Sequence, residues 1–275
     1  MMKALQWDAK SEQLSMVEAP VPTVTNPFDV VVKVGFVGVC GSDLLVLRKI
    51  HPAAEKVILG HEFAGTVHAV GTMVSSLKVG DRVCVNPNGN CNGCRFCIQG
   101  QPHFCITGKS AKNIRDLGIF WDGAMAEFCM VPADQVFRIP DDMSLQQAVL
   151  CEPYSCVIHG YERLGPLLPE TRILILGAGK LLIFGCCPAD KQLSFNPHDA
   201  WMKEITILAS RINPFCFPKA IALVKNMAAD YLSFDQLGVK VFFMNDYQDA
   251  IQKLKNGEIT KALLEPSGPG ESNNV

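Results

Sequence analysis

Residues 172–187 read RILILGAGKLLIFGCC: an apolar run from Arg172 to Leu176, a glycine turn, and at once a second apolar run from Leu181 to Phe184. Both runs are short, uncharged and rich in β-formers, so each reads as a buried strand. If they are parallel neighbours of one sheet, the chain needs a crossover of about a dozen residues or more, usually a helix, between them. Only Gly177, Ala178, Gly179 and Lys180 are available. Three outcomes are open at this junction: a hairpin closed on the glycine turn, an exposed segment prone to β-association, or strands completed by another chain.

The rest of the chain decides what was meant to stand around that junction. With 275 residues, 48% of them hydrophobic, it can bury a large core as one large or two ordinary domains. Lys plus Arg number 25 against 27 Asp plus Glu, with no long basic block, which argues against a nucleic-acid or polybasic membrane surface. No apolar stretch reaches the roughly 18 residues of a membrane span, and the first residues carry charge too early for a signal segment. The expectation is a soluble, cytoplasmic protein. Twelve cysteines in such a chain point to metal ligation rather than disulfides.

Residues 1–140 alternate short β-type runs with Gly, Pro and Asn punctuation. The runs are Lys3–Trp7, Asp29–Val39, Phe63–Val70, Arg82–Val85 and Ala124–Val131, a mostly antiparallel β domain. Ser144 followed by Gln147 is a capping box that opens a helix running to about Leu164. Beyond the junction the pattern predicts strands at Ile205–Ala209, Val239–Met244 and Lys261–Glu265, with helices at Pro218–Met227 and Tyr247–Lys255. The Gly/Ser/Asn-rich end from Pro266 to Val275 predicts disorder.

Two clusters carry chemistry. Cys91, Cys94, Cys97 and Cys105, in a Gly/Asn-rich loop, can close a tetrahedral shell around zinc with no open position; iron–sulfur ligation is the alternative. Cys40 in VCGSD, with His61 and Glu62 in GHEFAGTVHAVG, form the second. Gly60-His61-Glu62 followed by Gly65, Gly71 and Val74 resembles the signature of zinc-dependent medium-chain alcohol dehydrogenases. VGDRV, the cysteine lobe, DGAMAEF, the CEP segment and ILILGAG then follow in that family's order. The chain is most similar to the polyol branch, the sorbitol, arabinitol and threonine dehydrogenases.

The resemblance implies an α/β protein: a GroES-like, mostly antiparallel β catalytic domain formed by residues 1–152 with 211–267, and a Rossmann coenzyme domain. It implies that Cys40, His61 and Glu62 hold a catalytic zinc, with Glu152 of the CEP segment near the fourth position, and that Cys91, Cys94, Cys97 and Cys105 hold a structural zinc. Ser42 would relay the substrate proton and Asp43 would orient His61 through its other ring nitrogen. Where relatives often extend the relay with a histidine, this chain has Leu45, and His51 lies six residues further on. His68, His103, His159 and His198 match no ligand position and read as structural. The implied reaction oxidises a secondary hydroxyl of a polyol or alcohol by hydride transfer to NAD or NADP.

The junction departs from that picture. Gly177 and Gly179 match the first two glycines of G-x-G-x-x-G, but the third position is Leu182. The region some 20 residues on, PADKQLSFNPHD, looks like a loop with Asp190 as its only nearby acid before Asp199. The residues after Gly179 resemble the family's fifth strand and Ile205–Ala209 its sixth. Residues 153–210 therefore read as a Rossmann remnant lacking about three strands, roughly 80 residues at about 25 per strand–helix unit. The helix that presents amides to the pyrophosphate has no place here. Two readings follow: a zinc polyol dehydrogenase, or an inactive truncated isoform that binds zinc but not dinucleotide and associates with full-length subunits.

Overall fold

A computed structural model describes residues 1–105, 116–164, 180–184, 192, 194–202 and 205–267. Strands β1 (Met2–Asp8) and β2 (Gln13–Ala19) form an antiparallel hairpin, and β3 (Asp29–Val39) is the long central strand. A short helix α1 (Gly41–Leu47) leaves the end of β3, followed by β4 (Lys56–Ile58), β5 (Glu62–Val70) and β6 (Arg82–Val85). The cysteine loop carries the single turn α2 (Arg95–Ile98), and β7 (Phe128–Pro132) and β8 (Val136–Arg138) complete the β region. Helices α3 (Leu145–Val149) and α4 (Cys151–Leu164) lead to β9 (Lys180–Ile183), α5 (Pro197–Met202) and β10 (Thr206–Ala209). The chain then returns through α6 (Phe217–Met227), α7 (Phe234–Leu237), β11 (Val239–Phe243), α8 (Tyr247–Asn256) and β12 (Lys261–Glu265).

Among the described residues there are three sheets. A seven-stranded sheet runs β11-β12-β3-β5-β6-β8 with β7 also on β3; a three-stranded one runs β2-β1-β4; β9 and β10 make a two-stranded parallel pair. β3 can serve β7, β5 and β12 because β7 takes its first half, Asp29–Lys33, and β12 its last, Val37–Val39. Bulges at Val31/Val32 and Val34/Phe36 twist it between the two. The main core fills the space beneath these strands with Leu5, Val30, Val32, Leu59, Phe63 and Val67, each at most 1% exposed. A second cluster seats Val149, Phe217, Ala220 and Val224 against Leu263, which ties α3 and α6 to β12. No helix among the described residues is long and apolar enough to cross a membrane.

Several expectations need correction. The predicted helix from Ser144 to Leu164 is two helices; Ser144 and Gln147 do form the capping box, each accepting the other's backbone N–H, and the first helix ends at Leu150. The predicted strand Ala124–Val131 begins only at Phe128, because Met125 is tied instead to Leu5 and Leu59 by backbone hydrogen bonds of 2.7 and 2.8 Å. β2, β4 and β8 were not foreseen. The stretch around Asn196 is not all loop: its side chain accepts the His198 N–H at 2.9 Å where α5 starts.

At the junction, β9 and β10 pair in parallel over Lys180–Ile183 and Thr206–Ala209, as the fifth and sixth strands of a doubly wound sheet do. Arg172–Leu176, the hairpin alternative, Gly177, Gly179 and Asp190 lie outside the described residues, as does most of the segment expected to be disordered, from residue 268 on.

Candidate metal centres

Both cysteine-bearing clusters assemble. In the loop around α2 the Sγ–Sγ separations are 3.9 Å for Cys91–Cys97, 3.6 Å for Cys94–Cys97, 3.8 Å for Cys94–Cys105 and 3.5 Å for Cys91–Cys105. A tetrahedron with zinc–sulfur bonds of about 2.3 Å has edges of about 3.8 Å. The four sulfurs therefore already stand at the corners a single ion requires, whereas an iron–sulfur cluster would hold them much further apart. Burial, reinforced by hydrogen bonds with Cys94 and Cys105, pushes the Cys97 thiol up to about 12, so the thiolates need a cation to form together.

The second cluster sits where β3 ends and β5 begins. Cys40 caps α1, and its backbone N–H donates to Asp43 Oδ2 at 2.8 Å, which fixes the turn that aims the thiol inward. His61 directly precedes β5 and Glu62 opens it, and donor atoms of Cys40, His61 and Glu62 all lie within 4.8 Å of one another. Gly38 faces Glu62 across the β3–β5 ladder, and a Cβ there would fall 2.4 Å from Glu62 Oε2, so only glycine leaves room for the carboxylate. Ser42 Oγ and His61 Nε2 share a hydrogen bond of 3.1 Å. Asp43 Oδ1 stands 3.5 Å from His61 Nδ1, and each of these two buried atoms lacks any other partner. Burial opposes an imidazolium at His61, but the Asp43 carboxyl and the Cys40 sulfur outweigh it and raise its pKa well above the ordinary value. The pocket thus favours positive charge, and its thiol, imidazole and carboxylate are the donor mix of a catalytic zinc.

Two further residues complete the site. Glu152, in the first turn of α4, is 8% exposed; its Oε1 accepts from Asn213 Nδ2 at 3.3 Å and from the Cys156 thiol at 3.6 Å. Burial, then the nearby Glu62 charge, raises it to about 7. Lys261, the first residue of β12, donates to both Glu62 oxygens at 2.7 and 2.8 Å. Lys261 and Asn213 were missed by sequence reading, being far along the chain from their partners and outside any motif. His51 is half-buried, with its Nδ1 2.8 Å from the neighbouring Pro52 carbonyl. His68 packs on Phe128 and His198 on Trp201, while His103 and His159 meet each other.

The raised Glu152 carboxyl has a measurable sign. An unfolded glutamate titrates near 4.5 and the folded one at about 7, so between these values the folded protein holds a proton that the unfolded chain has lost. Stability of the metal-free protein is expected to fall as pH rises through that window. Glu152→Gln should flatten this fall in denaturant titrations run across it; an unchanged slope would assign the effect to another group.

A family model for the alcohol dehydrogenase GroES-like domain matches residues 26–141. The D-xylulose reductase A of Aspergillus niger is 32% identical over 178 residues, covering 62% of this chain and 48% of that protein. The starvation-sensing protein RspB of Escherichia coli K12 is 36% identical over 173 residues, covering 62% of this chain and 49% of that protein. The chain thus carries an alcohol dehydrogenase GroES-like domain over residues 26–141. Its fold is shared across 97% of its length with a candidate zinc-binding dehydrogenase of Sinorhizobium meliloti 1021 bound to NADP, at a TM-score of 0.81 and 23% identity over 99% of that chain. The chain spans about half the length of the curated relatives it matches.

Proposed function

We propose that this protein is a zinc-dependent oxidoreductase of the polyol or secondary-alcohol class, which passes hydride from a carbinol carbon to NAD or NADP. The observation that carries the reading is the buried convergence of Cys40, His61 and Glu62 donor atoms within 4.8 Å. These three would hold a catalytic zinc, and Cys91, Cys94, Cys97 and Cys105 a structural one. Bound there, zinc supplies Lewis acidity to a substrate hydroxyl. Ser42 Oγ, held beside His61 Nε2, is placed to take the hydroxyl proton and pass it to water, since no histidine occupies position 45. Asp43 steadies the far side of the His61 ring. Glu152, raised to about 7, can hold or release a proton near neutral pH at the same pocket.

In this reading residues 1–152 with 211–267 form the catalytic unit and 153–210 the remnant of the coenzyme unit, in a cytoplasmic protein acting on small polyols or alcohols. Dehydrogenase names among the relatives support activity over the inactive alternative. The test is direct: zinc-loaded protein is mixed with NAD⁺ or NADP⁺ and xylitol, sorbitol, threonine or 2,3-butanediol, and reduced nicotinamide is followed by absorbance. Turnover with at least one pair is expected, lost to background in Cys40→Ser. Wild-type protein that holds two zinc ions per chain yet reduces neither coenzyme with any of these substrates would sink the proposal.

A further inference from the structure

His159 and Glu162 are three residues apart on α4, a spacing that puts both side chains on one face of a helix. That face meets the start of α6, where Cys216 forms the cap and is fully buried. The ligand atoms of His159, Glu162 and Cys216 all lie within 4.8 Å of one another. We infer that these three residues form a further divalent-metal site, separate from both centres above, which clamps α4 to α6.

The roles of the two carboxylate oxygens favour this. Glu162 Oε1 is taken by Lys219, whereas Oε2 faces the Cys216 Sγ at 3.5 Å and is not bound by lysine. The single Cys216 thiol hydrogen can go to Pro214 O at 3.3 Å or to that same Oε2 at 3.5 Å, and in the second case it lies between sulfur and carboxylate. An ion entering there would replace it: the S–H proton leaves to solvent as the metal–sulfur bond forms. On the open side stands His103, its ring centroid 5.5 Å from that of His159 and its buried Nδ1 without a partner. One imidazole, one carboxylate and one thiolate, with a fourth position beside a second imidazole, select borderline ions such as Zn²⁺, Co²⁺ or Cd²⁺ over Mg²⁺ or Ca²⁺.

Lys219 gives the test its sign. Its side chain is 61% exposed, so it is a screened competitor for Glu162 rather than a buried partner. If the pocket takes a dication, removing this cation strengthens binding; across roughly 4 to 5 Å of water screened by physiological salt the gain is about fivefold. The experiment titrates Co²⁺ into protein whose first two sites already hold zinc. Expected are one further equivalent per chain with thiolate-to-cobalt charge-transfer absorption, its loss in Cys216→Ala and His159→Gln, and about fivefold tighter binding in Lys219→Met. Glu162→Gln, on a side chain 41% exposed, serves as the variant that keeps the fold and is also expected to lose the extra equivalent. Saturation at the same stoichiometry in wild type and Glu162→Gln, or unchanged affinity in Lys219→Met, would overturn the site.

Discussion

Cys97→Ser is expected to remove one zinc per chain and to unfold the loop from Cys91 to Cys105, while the β sheets persist. The loop has almost no core of its own: Cys105 is buried, but Ile98 is 75% exposed and Phe104 44% exposed. Its order must therefore come from the metal. Structural zinc sites bind with an apparent 10–16 kcal/mol, about what small zinc-dependent folds use to fold at all, so losing one of four thiolates is expected to abolish the site rather than weaken it. Metal analysis should fall by one equivalent, and trypsin should cut faster at Arg95, which begins the ordered turn α2 while the loop is closed. Full zinc content with unchanged resistance to trypsin would show that the four sulfurs do not share an ion.

Lys261→Met has a different signature, because its cost depends on whether the neighbouring pocket is filled. Glu62 is 1% exposed and both of its oxygens are held by the Lys261 ammonium. Burial works against the ammonium, but Glu62, with Cys40 behind it, raises its pKa and keeps the charge in place. Stripping one partner from a buried pair costs about 3–5 kcal/mol, since the other charge is left without compensation. In the metal-free variant that full loss is expected in denaturant unfolding. With zinc bound, Glu62 has another cation to face, and the loss should shrink to a fraction of it. By linkage, the variant must then bind zinc more tightly than wild type. Equal destabilisation with and without zinc would show that Glu62 never turns toward the metal.

Much of the scaffold was legible because its strands are buried and punctuated. Asp29–Val39, Arg82–Val85 and Lys261–Glu265 fall where the apolar runs place them, and Ser144 caps the helix its spacing with Gln147 announces. What escaped was half-exposed or paired irregularly. β2 alternates polar and apolar residues with few fully buried, and Met125 spends its backbone on Leu5 and Leu59 rather than on a regular ladder. The candidate metal ligands were readable because glycine spacing and cysteine spacing are local. Lys261 and Asn213 were not, since their roles arise only when β12 lies against β3 and when the residues before α6 reach Glu152. His159 looked structural for the same reason: its neighbour Cys216 comes from a different part of the chain.

The packing of α4 against α6, which closes the second core cluster, has a consequence for how such a chain tolerates change. Because α4 ends at Leu164 and α6 begins at Phe217 beside it, the chain between them leaves and rejoins one packed frame. Closing a loop becomes only about 0.6 kcal/mol harder for each doubling of its length. Shortening or lengthening the excursion therefore leaves the frame's free energy almost untouched. The frame that carries both candidate metal centres can thus persist as a heritable unit while the chain between α4 and α6 is cut, extended or exchanged.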